Sequence, residues 1–172
     1  MAGSIHRLLA DDHRRLDALL DYATADPERI DRAAYAEFRA GLLKHIGMEE
    51  KILLPAAQRR RSGEPLPLAA ALRLQHGAIA ALLVPTPTLD VIATLRVVLS
   101  AHNPLEEGPG GLYEICEKVA GNEVEALLAT LRAAPEVPVA SHVDGPKVLG
   151  AARRALTRAG FDVEALPLIR HE

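Results

Sequence analysis

The chain has no tryptophan and only 3% aromatic residues. Sheets draw heavily on aromatic and β-branched side chains, so this scarcity argues against an all-β fold. A single cysteine, Cys116, excludes an intramolecular disulfide framework. No apolar run approaches the roughly 20 residues a membrane helix needs, and no membrane partner is expected. Neither sign of charge dominates: 20 Lys and Arg stand against 23 Asp and Glu, for a formal net charge of −3. That balance leaves no electrostatic footprint for nucleic acid. The run Arg59-Arg60-Arg61 reads as a solvated helix end that complements the dipole. Asp11, Asp12, Arg14 and Arg15 make the N-terminus polar at once, so no signal peptide is expected and the expected location is the cytoplasm.

What the chain does have is apolar mass, 49% of its 172 residues, mostly Leu, Ala, Ile and Val. Ala and Leu head the helix-propensity order. Four helical segments emerge, over residues 4–25, 31–61, 68–84 and 88–134. Asp26-Pro27, Ser62-Gly63-Glu64-Pro65, and Pro85 with Pro87 separate them. Gly108-Pro109-Gly110-Gly111 cannot be regular helix interior, so the fourth segment is expected to break there and resume, with Pro104 a candidate kink. Short connections between long helices favour antiparallel neighbours. The expected fold is therefore all-α, an antiparallel up-down-up-down four-helix bundle over residues 1–134 with a C-terminal extension over 135–172. That extension pairs a β-prone run, 137–143, with a short amphipathic helix, 147–159. It has two candidate docking surfaces: the bundle, or a second copy of the chain in a homodimer.

Apolar residues recur in steps of three and four, as a core-facing helix requires. Each seam carries a histidine where a hydrophobe is expected. The seams read His6, Leu9, His13, Leu16, Leu20; Phe38, Leu42, His45, Glu49, Ile52, Ala56; Ala69, Leu72, His76, Ile79, Leu83; and Ile92, Leu95, Leu99, His102, Glu106. His45 and Glu49 are four apart, as are His102 and Glu106, which puts each pair on one helix face. Buried glutamates without partners are costly, and a metal ion accounts for two such pairs at once. Imidazole and carboxylate suit iron, zinc or manganese. The pattern also repeats. Residues 12–20 echo 75–83, and His45-Ile46-Gly47-Met48-Glu49-Glu50 echoes His102-Asn103-Pro104-Leu105-Glu106-Glu107. Two halves, each giving two histidines and one glutamate, suit a pseudo-twofold site for two metals with bridging glutamates.

The ordered set His13, His45-x-x-x-Glu49-Glu50, His76, His102-Asn103-x-x-Glu106-Glu107 resembles the hemerythrin-like (HHE) cation-binding domain over about residues 4–120. The resemblance implies an oxo- or hydroxo-bridged di-iron centre in a four-helix bundle. Its partner would be O2 or another small ligand such as peroxide or nitric oxide. His13, His45, Glu49, His76, His102 and Glu106 would be the ligands. Oxygen-carrying members have a second histidine one turn after the helix-three ligand, where this chain has Ala80. They also place the last carboxylate five residues after the helix-four histidine; here Glu106 and Glu107 are both available, and Glu106 stays on the seam. One iron is then a ligand short, which favours a sensor, redox or metal-handling role over an oxygen carrier. Asp17, Glu107 and Tyr113 are additional candidates, Tyr113 as a hydrogen-bond donor to a bound anion. Glu50, Glu107 and Asp12 could fix ligand imidazoles through their outer nitrogens. His6 reads as structural, His142 and His171 as solvent-facing, and Cys116 as a small core hydrophobe. The alternatives are an oxidase, peroxidase or nitric-oxide-repair enzyme on the same centre, and a metal-stabilised interaction module.

Overall fold

The structure, a computed structural model, describes residues 3–169. Among these residues the fold is all-α, with no strand and one isolated bridge between Asp26 and Arg29. The long helices are α1 (Ser4–Ala23), α2 (Arg32–Met48), α4 (Ala69–Leu82) and α5 (Leu89–Glu107). Shorter ones are α3 (Leu54–Arg60), α6 (Leu112–Ala120), α7 (Val124–Arg132) and α8 (Pro146–Arg158). Asp31 caps α2 by accepting from the Ala33 and Ala34 amides, and Thr88 caps α5 through Val91. Among the described residues no helix is long and apolar enough to cross a membrane.

Two apolar clusters flank a polar layer. One gathers Leu16 and Leu20 of α1, Phe38 and Leu42 of α2, Ile79 and Leu82 of α4, and Leu95 and Leu99 of α5. The other gathers Ile5 and Leu9 of α1, Met48 at the end of α2, Leu72 of α4, and Leu112 and Cys116 of α6. On α1, α2 and α4 the histidine lies between the clusters in sequence; on α5 His102 follows the first cluster, and the chain reaches the second only in α6.

The segment expected as one helix over 31–61 is interrupted. Residues Glu49–Leu53 form a π-turn, with the Leu54 amide donating to the Glu49 carbonyl. Pro55 supplies the reason: in a regular α-helix its ring would collide with the carbonyl four residues back, and it has no N–H to offer. The widened turn adds one residue and moves the seam. Leu53 and Ala57 are buried where Ile52 and Ala56 were expected, and those two are only partly covered.

After α5 the chain turns back sharply. A Cβ on Gly108 would meet the Pro104 carbonyl oxygen at 2.4 Å, and one on Gly111 would meet those of Glu106 and Leu105 at 2.6 and 2.8 Å. Only glycine permits this tight return, which starts α6 beneath the polar layer. Gly121, at φ 55, then separates α6 from α7.

The extension packs on the same chain. α8 lies against α4, and Ala152, Leu156, Leu166 and Leu168 join the first apolar cluster. The Leu168 amide donates to the Thr94 hydroxyl at 2.9 Å, and the Arg39 guanidinium bridges the Leu83 and Ala140 carbonyls. The run 137–143 forms no strand, because no second strand lies beside it among the described residues and Pro138 lacks an N–H.

Candidate metal centre

His13, His45, His76 and His102 are at most 5% exposed, and Glu49 and Glu106 are fully buried. Their heights along the helices bring them into one layer. His13 and His45 have ring centroids 4.5 Å apart, and His76 and His102 4.8 Å apart. Two overlapping quartets result: His13, His45, Glu49 and Glu106; and Glu49, His76, His102 and Glu106. Within each, the donor atoms lie inside 4.8 Å of one another, so each group could hold a metal ion.

The two glutamates belong to both quartets and divide their oxygens between them. Glu49 turns Oε1 to His45 Nε2 at 3.3 Å and Oε2 to His76 Nε2 at 3.2 Å. Glu106 turns Oε2 to His13 Nε2 at 3.4 Å, and Oε1 to His76 and His102 Nε2 at 3.2 and 3.0 Å. Every histidine thus points Nε2 inward.

Every Nδ1 points outward to an oxygen. Asp12 Oδ2 lies 2.9 Å from His45, Glu50 Oε1 2.6 Å from His76, Gln75 Oε1 2.7 Å from His102, and Glu107 Oε2 3.4 Å from His13. Such partners fix the tautomer with the proton on Nδ1 and leave the Nε2 lone pair free for a cation. The pairing is twofold: Asp12 backs the histidine of the adjoining helix as Gln75 does in the other half, and Glu50 backs the opposite half as Glu107 does. Asp12 therefore serves His45 rather than its neighbour His13. Sequence reasoning missed Gln75 altogether. Its signal was the internal repeat, which aligns Gln75 with Asp12.

Of the additional candidates, Asp17 is exposed and joins neither quartet. It sits one turn beyond His13 but rotated toward solvent, where burial of part of its carboxyl raises its pKa against the pull of His13. Glu107 keeps its side chain 34% exposed and touches His13 from outside. Tyr113 is fully buried, and its hydroxyl enters the layer itself, 2.7 Å from Glu49 Oε1. His6 is partly covered, with Nε2 2.7 Å from the Glu107 carbonyl. His142 is partly covered against the Tyr35 ring, and His171 lies outside the described residues. Cys116 is buried, and burial with the Glu49 charge pushes its thiol up to about 12, so it is inert as a nucleophile.

The donor set fits a cation. With Nδ1–H committed outward, four Nε2 lone pairs face four carboxylate oxygens across 3.0–3.4 Å. Such an arrangement is repulsive unless a proton or a metal stands between. Glu49 Oε2 is buried, and His76 Nε2 stands 3.2 Å from it without the alignment of a hydrogen bond. In the metal-free protein, protons take the place of the cation. Burial pulls His45 down, but the Glu49 charge and the hydrogen bonds to Asp12 and Glu49 outweigh it and lift its pKa to about 10. Burial likewise opposes His76, yet the carboxylates of Glu106, Glu49 and Glu50 beside it raise it to about 11. Glu106 is held well below the usual carboxylate range: burial works to raise it, and the hydrogen bonds to His102, His13 and His76 prevail.

Fold and site define an all-α protein with a buried four-histidine, two-glutamate cluster that could hold metal. The family model for the hemerythrin HHE cation binding domain matches residues 4–109, and the chain belongs to that family. No curated protein and no solved structure matches the chain. The matched segment ends before Tyr113.

Proposed function

We propose that the chain holds two iron ions, one in each quartet, and through them binds or senses O2 or a related small ligand such as peroxide or nitric oxide. The observation that carries this reading is the sharing of Glu49 and Glu106, each with separate oxygens aimed at the two histidine pairs. Two bridging carboxylates favour a pair of ions over one, with an oxo or hydroxo group completing the bridge. Iron supplies redox chemistry and open coordination; zinc or manganese suit the same donors as substitutes.

The chain's own residues hold, orient and seal the site. Asp12, Glu50, Gln75 and Glu107 lock the imidazoles and raise their basicity. The apolar clusters above and below, with Leu9, Leu16, Leu72 and Ile79 bracketing the histidines, exclude bulk water. α1 and α4 run from the second cluster to the first, α2 runs from the first to the second, and α5 leaves the first cluster to end at the polar layer. That alternation supports an antiparallel up-down-up-down bundle as the frame.

Elemental analysis of protein purified from its native source is the test. Two irons per chain are expected; zinc alone, or no metal, would overturn the reading. Anaerobic loading with ferrous iron followed by air should produce near-ultraviolet charge-transfer bands, and an unchanged spectrum would count against an oxygen-responsive pair. Catalytic consumption of peroxide or nitric oxide by the loaded protein would make the centre an enzyme rather than a sensor.

A further inference from the structure

Tyr113 breaks the twofold symmetry of the site. Its hydroxyl oxygen lies 3.2 Å from His13 Nε2, 3.1 Å from His45 Nε2, 2.7 Å from Glu49 Oε1 and 3.2 Å from Glu106 Oε2. These four partners are the members of one quartet, the one built on α1 and α2. The carboxylate oxygens it meets are the ones turned toward that half; those turned toward His76 and His102 are the others.

The rest of the polar layer repeats: His13 with His76, His45 with His102, Glu49 with Glu106, Glu50 with Glu107, Asp12 with Gln75. Tyr113 comes from α6, beyond the second copy of the repeat and beyond the segment matched to the family. The same repeat offset carried back from Tyr113 leads to Ala56 in α3, which offers no donor. Ala80, one turn past His76, offers none either. Among the described residues, the α1/α2 half thus has a fifth donor that the α4/α5 half lacks.

The position of that donor is imposed by the fold. Tyr113 is fully buried, with Leu112 and Cys116 beside it in the core. The backbone crowding at Gly108 and Gly111 fixes where α6 begins. A hydroxyl held this way has little freedom to leave the cluster.

We infer that Tyr113 is a metal ligand: its oxygen completes the α1/α2 position and leaves the α4/α5 position, held by His76 and His102, as the one open to an external small ligand. This rests on the reading of the centre as a two-metal site. On coordination the phenol O–H bond breaks, an oxygen–metal bond forms, the proton leaves to solvent, and no electron is transferred.

The full chain, stripped of metal, loaded anaerobically with ferrous iron and then exposed to air, is the sample to measure. The wild type should show a visible phenolate-to-ferric charge-transfer band and resonance-enhanced phenol ring vibrations. Tyr113→Phe should lose both while keeping two irons and the near-ultraviolet bands. Tyr22→Phe, at an exposed site, should keep everything. Mössbauer spectra should show two inequivalent irons in the wild type, with Tyr113→Phe changing one of them. Two irons with no phenolate band in the wild type would overturn the Tyr113 assignment alone, leaving its phenol as a hydrogen-bond donor to Glu49. A phenolate band that survives in Tyr113→Phe would overturn it equally. If the wild type retains no iron, the two-metal reading falls and this assignment falls with it.

Discussion

Asp12 and Gln75 occupy equivalent places in the repeat and do equivalent work on His45 and His102, yet one is charged and the other neutral. A carboxylate behind an imidazole strengthens its donation more than an amide does, so the His45 side carries the more basic ligand. Asp12→Ala should lower metal affinity about 10–100-fold in a chelator competition, the range typical for such supporting partners. Asp17→Ala, exposed and outside both quartets, should leave affinity unchanged. The raised pKa values of His45 and His76 also predict how the metal-free protein responds to pH. Both bind protons more tightly folded than unfolded, so their contribution is fully present below about 6.5, the unfolded value. It is lost as pH rises through the folded values of about 10 and about 11. Thermal melts of the metal-free protein should therefore drop steadily from pH 6.5 toward pH 10. A flat profile would contradict protonated imidazoles in the empty cluster. In the loaded protein the cation replaces those protons, and affinity should instead fall on acidification, because ligand histidines must be neutral.

Two irregular elements place the site's chemistry. The π-turn at Glu49–Leu53 lets α2 deliver Glu49 to the layer and then re-aims α3, so that Leu53 and Ala57 reach the second apolar cluster. The glycine turn between α5 and α6 delivers Tyr113. Gly111→Ala would drive a Cβ into backbone oxygens that cannot move independently. It should cost about 1–3 kcal/mol in urea unfolding, by analogy with overpacked cores, and should weaken any signal that depends on Tyr113. Unchanged stability would mean that the turn can relax without the glycine.

At the scale of the whole molecule, the extension and the helices beneath it share one core. Leu156 is fully buried against the first cluster. Leu156→Ala should destabilise the entire chain by about 2–5 kcal/mol in denaturant unfolding, with one transition rather than two. A separate early transition for the extension would argue that it unfolds alone. Metal acts at the same scale, since ions that bind only the folded cluster stabilise all of it. Loaded protein should melt higher than chelated protein, and chelation should reverse the gain.

The local part of this protein was readable from its residues. Apolar steps of three and four, the breakers between them and the i, i+4 His–Glu pairs are properties of single helices, and they carry the all-α class and the resemblance to the HHE family. What spacing cannot carry is how one helix is rotated and levelled against another. That decided that Asp12 reaches His45, that Gln75 backs His102, that Asp17 turns to solvent and that Tyr113 enters the cluster. The one-residue shift after Glu49 had a local mark, Pro55, but helical periodicity does not register a widened turn, beyond which every side chain rotates to a new face.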